Sequence, residues 1–269
     1  MIWTRNFGEI TQILMTRTIA GRPAHVTACY YLDGLLIDTG IVQAPKEFER
    51  ALAPFTVDTI VNTHHHEDHI GNNARFQQSM GVGPALAHSK AVPNITNPDS
   101  WAKNMRLYRR LVNGTPPPSQ AREIGTEVAT DRCCFQVIHT PGHTDGHISL
   151  LEPKKGWLFT GDLFISPRIE FLHTDEDVHL MLDSLQRLLE YEFNILFCAS
   201  GRVLENAREA VQAKCRYLEE LGEKVKELHC RGLTPGEIRN QLLGRESLLY
   251  PISKGEFGKI NLVRSFLGM

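Results

Sequence analysis

The chain has 269 residues, enough for one large domain or two small ones. Its hydrophobic fraction of 42% and its charged fraction of 22% are ordinary for a soluble globular protein. The formal net charge is -2 and no long run of one sign occurs, so strong attraction to nucleic acid or to an anionic membrane is not suggested.

The chain shows no signal peptide and no segment that is long and apolar enough to span a bilayer. Its six cysteines are scattered and none belongs to a CxxC pair. Scattered cysteines in a chain with an adequate core are more often reduced and buried than paired in disulfides. We therefore expect a cytoplasmic protein.

The first elements are predicted to be β-strands. Apolar and β-branched residues fill 10–18 and 25–31, with a turn at 20–23 between them. The pair Asp33-Gly34 is typical of a hairpin turn, and it precedes a buried strand at 35–37.

Helices and strands are then mixed along the rest of the chain. The predicted elements are a helix at 45–53, a strand at 58–62, a helix at 72–80, a strand at 85–88, a helix at 99–112, strands at 133–139, 147–151 and 157–160, a helix at 177–189, a strand at 194–197, and helices at 204–230 and 234–243. The last helix starts with a capping box, in which Thr234 is the N-cap and Glu237 the partner. This mixture favours one α/β sandwich with the C-terminal helices packed on it.

The predicted helix at 99–112 is both basic and aromatic. Either one side of the helix packs against the protein while the other is solvated, or the helix is a lid over a functional site. As a lid, it would use Arg106, Arg109 or Arg110 to grip a carboxylate or a phosphate.

The most informative segment is the histidine run, Thr63-His64-His65-His66-Glu67-Asp68-His69, which follows a predicted strand and precedes a predicted helix. Loops in this position commonly carry the chemistry of α/β proteins, and histidine is the commonest protein metal ligand. Its candidate ligands are His64, His66, Asp68 and His69. Because residues at i and i+2 of an extended segment face the same way, His64 and His66 can share one ion while His65 points elsewhere.

Three further candidates stand at the ends of predicted strands, each near a glycine that lets the backbone turn tightly. They are His143 after Gly142, Asp162 after Gly161, and Asp38 in Asp38-Thr39-Gly40. Asp38 is expected to cap a turn or support a ligand rather than to bind metal itself.

These residues, in this order, resemble the metallo-β-lactamase superfamily. Asp38 matches its first motif, the histidine run its HxHxDH signature, and His143 and Asp162 its third and fourth motifs. The resemblance implies an α/β protein with an αββα sandwich over residues 1–203, on which helices of residues 204–269 pack.

The resemblance also implies a site for one or two divalent metal ions, with zinc expected and iron or manganese as alternatives. His64, His66 and His143 would hold the first metal, Asp68 and His69 would belong to the second, and Asp162 would bridge both. The two carboxylates, Asp68 and Asp162, are the expected catalytic residues.

The sequence departs from the family at the fifth motif, which usually supplies a histidine to the second metal. Ser200 stands there, and a neutral hydroxyl is a poor zinc ligand beside imidazole and carboxylate. Three arrangements are then open. The second metal binds with three protein ligands and water, or another residue replaces the missing histidine, or only the first site is occupied. We favour a weakened but usable second site. The candidate substitutes are His173, His179 and Cys198.

The leading functional interpretation is a hydrolase in which metal-bound hydroxide attacks a small ester, thioester or lactone. No glutathione-binding arrangement of the glyoxalase II type is recognised. One alternative is a mononuclear iron persulfide dioxygenase, since two histidines and an aspartate can form a facial triad. Another is a non-catalytic metal-binding protein. The expected partner is a small-molecule substrate, and the C-terminal helices either complete its pocket or form a homodimer surface.

Overall fold

The computed structural model describes residues 1–19, 22–42, 45–103 and 105–269. The strands are β1 Ile2–Phe7, β2 Ile10–Ile19, β3 Arg22–Leu32, β4 Leu35–Ile37, β5 Thr59–Val61, β6 Ala85–Ala87, β7 Ala121–Glu123, β8 Glu127–Ala129, β9 Cys134–His139, β10 Ile148–Glu152, β11 Trp157–Phe159, β12 Leu172–His173, β13 Ile195–Phe197, β14 Val203–Leu204 and β15 Phe257–Gly258. The helices are α1 Pro45–Leu52, α2 Glu67–Ile70, α3 Asn73–Ser79, α4 Val92–Thr96, α5 Asp99–Ala102, α6 Leu107–Val112, α7 Val178–Leu188, α8 Ala207–Cys230, α9 Pro235–Leu242, α10 Leu249–Ile252 and α11 Lys259–Phe266.

Two sheets pack face to face. One has the strand order β1-β2-β3-β4-β5-β6-β7, and the other has the order β14-β13-β11-β10-β9-β8. Their inner faces share one apolar cluster, in which the ring of Tyr30 from β3 lies 5.3 Å from Phe159 of β11 and 5.5 Å from Phe197 of β13. Burial of alternate side chains from both sheets therefore forms the centre of the sandwich.

Helices cover the two outer faces. The first sheet packs on α1 and α3, where the rings of Phe48 and Phe76 lie 5.0 Å apart. The second sheet packs on α7, α8, α9 and α11 in a single apolar cluster that includes Leu158, Leu185 and Leu218. The predicted α/β fold with an αββα sandwich is confirmed, and the helices after residue 203 share a core with the second sheet.

Local signals in the sequence explain two of the correctly predicted turns and caps. Asp33 and Gly34 both have positive φ, at 46° and 81°, as a type I′ hairpin turn between β3 and β4 requires. Thr234 and Glu237 form the predicted capping box at the start of α9. The predicted turn at 20–23 includes residues 20 and 21, which lie outside the described residues.

The prediction of one helix over 99–112 is wrong. The structure has α5 and α6 in its place, and Arg106 has an extended backbone with φ -63° and ψ 147° immediately before α6. The two helices make separate contacts: Trp101 Nε1 donates to Asn94 O at 3.0 Å, whereas Tyr108 OH donates to Glu256 Oε2 at 3.0 Å. These tertiary contacts outweigh the local helix propensity of the segment.

The long C-terminal helix also starts later than predicted, at Ala207, because residues 203–204 pair with β13 as β14. Within the described ranges, no helix combines the length and the apolar character that crossing a bilayer requires.

Candidate metal centre

Three imidazole nitrogens converge where the two sheets meet. His143 Nε2 lies 3.2 Å from His64 Nε2 and 3.0 Å from His66 Nδ1, and all three side chains are buried. Donors arranged tetrahedrally around zinc, with metal–nitrogen bonds of about 2.0–2.1 Å, are separated by about 3.3 Å. The three nitrogens therefore have the spacing of ligands to one ion.

Tight turns after two strands bring the ligands from the second sheet to this point. His143 follows β9 and Asp162 follows β11, each directly after a glycine with positive φ. A Cβ on Gly142 would lie 2.4 Å from Met181 N, and one on Gly161 would lie 2.7 Å from His147 Nε2. Only glycine fits these positions without displacing its neighbours.

Hydrogen bonds fix the orientation of the rings. His143 Nδ1 contacts the carboxylate of Glu176, and His64 Nδ1 lies 3.1 Å from Thr63 Oγ1. A partner on one ring nitrogen leaves the other free for a metal. His147, in contrast, uses Nε2 to accept from Asp162 N at 3.2 Å, so it supports the turn that carries Asp162.

A second group of donors adjoins the first. Possible ligand atoms of His64, His69 and Asp162 lie within 4.8 Å of one another, and His69 Nε2 is 3.5 Å from Asp162 Oδ1. Asp162 Oδ2 is also 3.4 Å from His143 Nε2, so one carboxylate faces both groups. Among the described residues, His69 Nε2 is buried and has no hydrogen-bond partner. A buried nitrogen without a partner is costly, and a cation bound there would satisfy it.

The other nitrogen of His69 is held by Asp38. Asp38 Oδ2 lies 2.7 Å from His69 Nδ1, and the same carboxylate accepts bonds of 2.8 Å from the backbone N–H and the hydroxyl of Thr63. Asp38 itself has a φ of 61°, which is uncommon for a residue other than glycine. The support expected of Asp38 thus takes the form of a carboxylate–histidine pair aimed at the metal position.

Asp68 lies at the side of the second group. Its Oδ2 is 3.9 Å from His69 Nε2 but only 2.9 Å from Nε2 of His25, a residue of β3 that the sequence analysis did not single out. Nothing in the spacing of the chain connects these two residues, which are 43 positions apart. His25 is a functional candidate that becomes apparent only in the folded structure.

The residues considered as substitutes at the fifth motif lie elsewhere. Among the described residues, neither group of converging metal donors includes His173, His179 or Cys198, and neither includes Asp68 or His25. His173 contacts Asp175 and Glu256, and burial raises the pKa of the Cys198 thiol, which favours its protonated form. The Ser200 hydroxyl lies 3.0 Å from Cys198 Sγ.

The protonation states of the buried side chains favour a bound cation at this centre. Burial, together with the neighbouring imidazoles, holds the pKa values of His64 and His66 well below the usual value, so these rings are neutral at pH 7. Burial alone would lower the pKa of His69, but Asp38, Asp162 and Asp68 outweigh it and raise that pKa well above its usual value. A metal ion that replaces the proton on His69 would meet the same carboxylates.

Arg109, one of the three arginines expected to grip a ligand if the 99–112 segment is a lid, is paired with carboxylates of the protein itself. Arg109 donates to both oxygens of Glu67, at 2.7 Å and 2.5 Å, and its Nη1 lies 3.6 Å from Glu256 Oε1. Arg110 donates to the carbonyl of Ala102 at 2.7 Å. Arg109 therefore attaches α6 to the histidine run, and it also lines the cavity above the metal centre.

A cavity of about 810 Å³ opens over the metal centre. His66, Asp68, His143 and Asp162 line its floor, and much of its wall is apolar. The apolar wall is formed by Ile165, Ile169, Phe171, Leu172, Met181 and Phe257. Residues from α8, α10 and β15 contribute to the wall, so elements after residue 203 complete the cavity.

Lys214 of α8 is the unexpected charge in this wall. It is 1% exposed, its Nζ donates to Leu163 O at 2.9 Å, and the same atom lies 5.3 Å from the centre of the Phe164 ring. Burial lowers its pKa to about 8. In the sequence it is one lysine of a long amphipathic helix, and only the packing reveals that it is buried.

Replacing Lys214 with methionine is expected to raise the free energy of unfolding at pH 7 by about 1–3 kcal/mol, because the substitution removes a buried charge. The pKa is about 8 when folded against 10.5 ordinarily, so the unfolded chain binds more protons between these values. The wild type should therefore gain stability relative to the variant as the pH rises from 8 to 10.5. Denaturant unfolding at pH 7 and pH 10 measures this difference. Lys224→Met, at an exposed position of the same helix, is the control, and a Lys214→Met variant less stable than wild type at pH 7 would contradict the prediction.

The chain is similar to known proteins in both sequence and structure. The model of the metallo-beta-lactamase superfamily matches residues 22–200. A hydroxyacylglutathione hydrolase of Legionella pneumophila (strain Corby) is 33% identical over 159 residues, which span 57% of this chain and 52% of that protein. The chain thus matches about half the length of this relative. A hydroxyacylglutathione hydrolase of Chelativorans sp. is 29% identical over 204 residues, with 72% of this chain and 70% of that protein covered.

Solved structures agree on the fold. A metallo-beta-lactamase family protein from Thermus thermophilus superposes with a TM-score of 0.69 at 19% identity, covering 96% of this chain and 93% of that one. Another neighbour, crystallised in a di-iron-bound form, has a TM-score of 0.54 at 22% identity and covers 77% of this chain and 96% of its own.

Proposed function

Since the chain belongs to the metallo-β-lactamase superfamily, we propose that it is a hydrolase that depends on two divalent metal ions and cleaves small thioesters, with oxygen esters and lactones as weaker substrates. The observation that carries the proposal is the position of Asp162. One oxygen of its carboxylate is 3.4 Å from His143 Nε2 and the other is 3.5 Å from His69 Nε2, so a single side chain faces both groups of donors.

His64, His66 and His143 would hold the first metal, and His69, Asp68 and Asp162 would contribute to the second. When bound, the ions would supply a Lewis acid for the substrate oxygen and a water molecule acidic enough to ionise near pH 7. Zinc suits these nitrogen and oxygen donors. The structural neighbour with two iron ions makes iron the first alternative.

The protein's own groups would bind and orient the reactants. Burial alone would raise the pKa of Asp68, but His69 and His25 outweigh it and hold that pKa below its usual value. The ionised carboxylate can then accept a hydrogen bond from the attacking water and orient it. Glu176 fixes the His143 ring through Nδ1 and Asp38 fixes His69, so neither imidazole has to reorient during the reaction.

The cavity supports a small substrate with an apolar part. Its volume of about 810 Å³ is in the range of small-molecule sites, and its wall can cover an acyl chain and exclude water. The buried ammonium group of Lys214 would favour a substrate that carries a negative charge or a carbonyl near this wall. We place thioesters first because relatives of the chain are named hydroxyacylglutathione hydrolases.

Removing and restoring the metal tests this function. Protein stripped with a chelator is expected to lose its thioesterase activity, and two equivalents of zinc, manganese or iron should restore it. Thiol release should be measured with a hydroxyacyl thioester of glutathione and with the same acyl group on a small thiol, beside the matching oxygen ester and lactone. His143→Ala is the inactive control.

Two results would contradict the proposal in different ways. One iron per chain, together with oxygen uptake on a persulfide and no ester cleavage, would favour a dioxygenase. A fully metallated protein that turns over none of the substrate classes would favour a non-catalytic role.

A further inference from the structure

The second metal position lacks one ligand in the chain segment where the superfamily supplies it. Ser200 occupies that place, and its neutral hydroxyl contacts Cys198 Sγ at 3.0 Å and the carbonyl of Ile165 at 3.5 Å. A hydroxyl in this environment competes poorly with imidazole for a divalent ion. His69 and Asp162, with Asp68 beside them, then leave the second ion with an incomplete set of protein ligands.

Strand β3 runs along the segment that contains Ser200. Ala28 N donates to Ala199 O at 2.7 Å, so the two chain segments are in direct contact. Alternate residues of a strand face the same side, and Thr27 Oγ1 donates to the carbonyl of Asp68 at 3.4 Å. The side chain two residues earlier, His25, therefore faces the histidine run from the edge where Ser200 lies.

His25 already touches a ligand of the second metal. Its Nε2 lies 2.9 Å from Asp68 Oδ2, and both side chains line the cavity together with Asp162 and Ser200. With metal–ligand bonds of about 2.0–2.2 Å, donors at a tetrahedral angle are separated by about 3.3–3.6 Å. The two atoms would therefore have to move apart by roughly 0.5 Å to bind the same ion. The His25 side chain is 48% exposed, so its ring can rotate towards an ion without disturbing the core.

We propose that His25 supplies the imidazole that Ser200 does not, and that it binds the second metal through Nε2 beside Asp68, His69 and Asp162. The ligand then comes from the first sheet, from a strand far from the fifth motif in sequence but adjacent to it in space. This inference rests on the two-metal site of the proposed function. It adds a residue to that site and explains how a chain with Ser200 retains a usable second position.

Cobalt(II) titration of the metal-free protein tests the proposal, with visible absorbance and calorimetry as readouts. The informative variant is His25→Gln, because a glutamine amide can still donate a hydrogen bond to Asp68 but is a weak metal ligand. We expect the wild type to bind two ions in two steps. In His25→Gln the affinity of the second step should fall by at least about tenfold, with the first step unchanged.

A second variant and a control separate loss of a ligand from general damage. Adding Ser200→His to His25→Gln should restore the second step, since it returns an imidazole to the same ion. His229→Gln, at an exposed histidine near the end of α8, should titrate like the wild type.

The proposal is overturned if His25→Gln keeps the second-step affinity of the wild type, which would make His25 a hydrogen-bond partner of Asp68 only. It is also overturned if the wild type binds a single cobalt ion. The titration does not measure hydrolysis. A protein that loses the second ion on His25→Gln but cleaves no ester, thioester or lactone would support the ligand assignment and overturn the proposed reaction.

Discussion

Replacing Asp162 with asparagine is expected to lower the rate of thioester hydrolysis by about a thousandfold. Asparagine preserves the size of the side chain and removes its charge. One oxygen of the carboxylate faces His143 Nε2 at 3.4 Å and the other faces His69 Nε2 at 3.5 Å, so this side chain contacts both groups of donors. Although burial alone would raise the pKa of Asp162, His69 and His143 hold it well below the usual value, so the group is a carboxylate throughout the neutral range.

The kinetic constants and the metal content of Asp162→Asn should be measured on the same preparation. We expect the second ion to be lost and the first to be retained with weaker affinity, because His64, His66 and His143 remain in place. Asp183→Asn, at an exposed position of α7, is the matched control and should behave like the wild type. An Asp162→Asn variant that holds two ions and keeps most of its activity would place the essential carboxylate elsewhere.

The part of the site that could be predicted from the sequence is the part that consists of local motifs. His64, His66, Asp68 and His69 lie within one short segment, and the pairs Gly142-His143 and Gly161-Asp162 mark tight turns after strands. Such turns place side chains at one edge of a sandwich whatever the details of packing. The turns mark His143 and Asp162 as candidates, whereas the grouping of His64 with His143, 79 positions away, comes from the resemblance to the superfamily's motifs.

The contact between His25 and Asp68 could not be predicted in this way. His25 belongs to a strand whose pattern indicates only a sheet, and its contact with Asp68 depends on how β3 passes the histidine run in space. Lys214 presents the same difficulty, because a lysine within an amphipathic helix is normally exposed. Here it is 1% exposed. In both cases the sequence shows the residue type but not which residues surround it in the folded protein.

The fold was predicted best where periodicity or capping is strong, as in α7, α8 and α9. The short strands β7, β8, β12, β14 and β15 were not predicted, and neither was the six-residue strand β1. Two or three residues carry no period of their own, so short strands were predicted only where an apolar run indicates a buried strand, as in β4 and β11. The prediction of one helix over 99–112 was wrong for a related reason. The charges of this segment indicate a basic helix, but the structure divides it into α5 and α6, and α6 is attached to the histidine run through Arg109.

The ion pair between Arg109 and Glu67 is expected to be the largest single contribution of the α6 segment to the free energy of unfolding. Glu67 is completely buried between two candidate metal ligands, and its carboxylate accepts bonds from Arg109 at 2.7 Å and 2.5 Å and from Asn113 Nδ2 at 3.0 Å. Replacing Arg109 with methionine keeps most of the side-chain volume and leaves a buried carboxylate without its cation. Removing one partner of a buried pair typically destabilises a protein by about 3–5 kcal/mol, so we expect a loss of this size in the free energy of unfolding.

Adding Glu67→Gln to Arg109→Met should recover part of the loss, because the neutral amide no longer needs a cation, whereas Arg106→Met at an exposed position of the same segment should change stability little. Denaturant unfolding of the metal-free protein measures all three variants without the contribution of bound metal. The same variants connect stability to the site, since a displaced Glu67 would also displace its neighbours His66 and Asp68. Weaker metal binding in Arg109→Met, relieved in the double variant, is therefore expected together with the loss of stability. Equal stability of Arg109→Met and Arg106→Met would mean that Glu67 is solvated and that α6 is held by its apolar contacts instead.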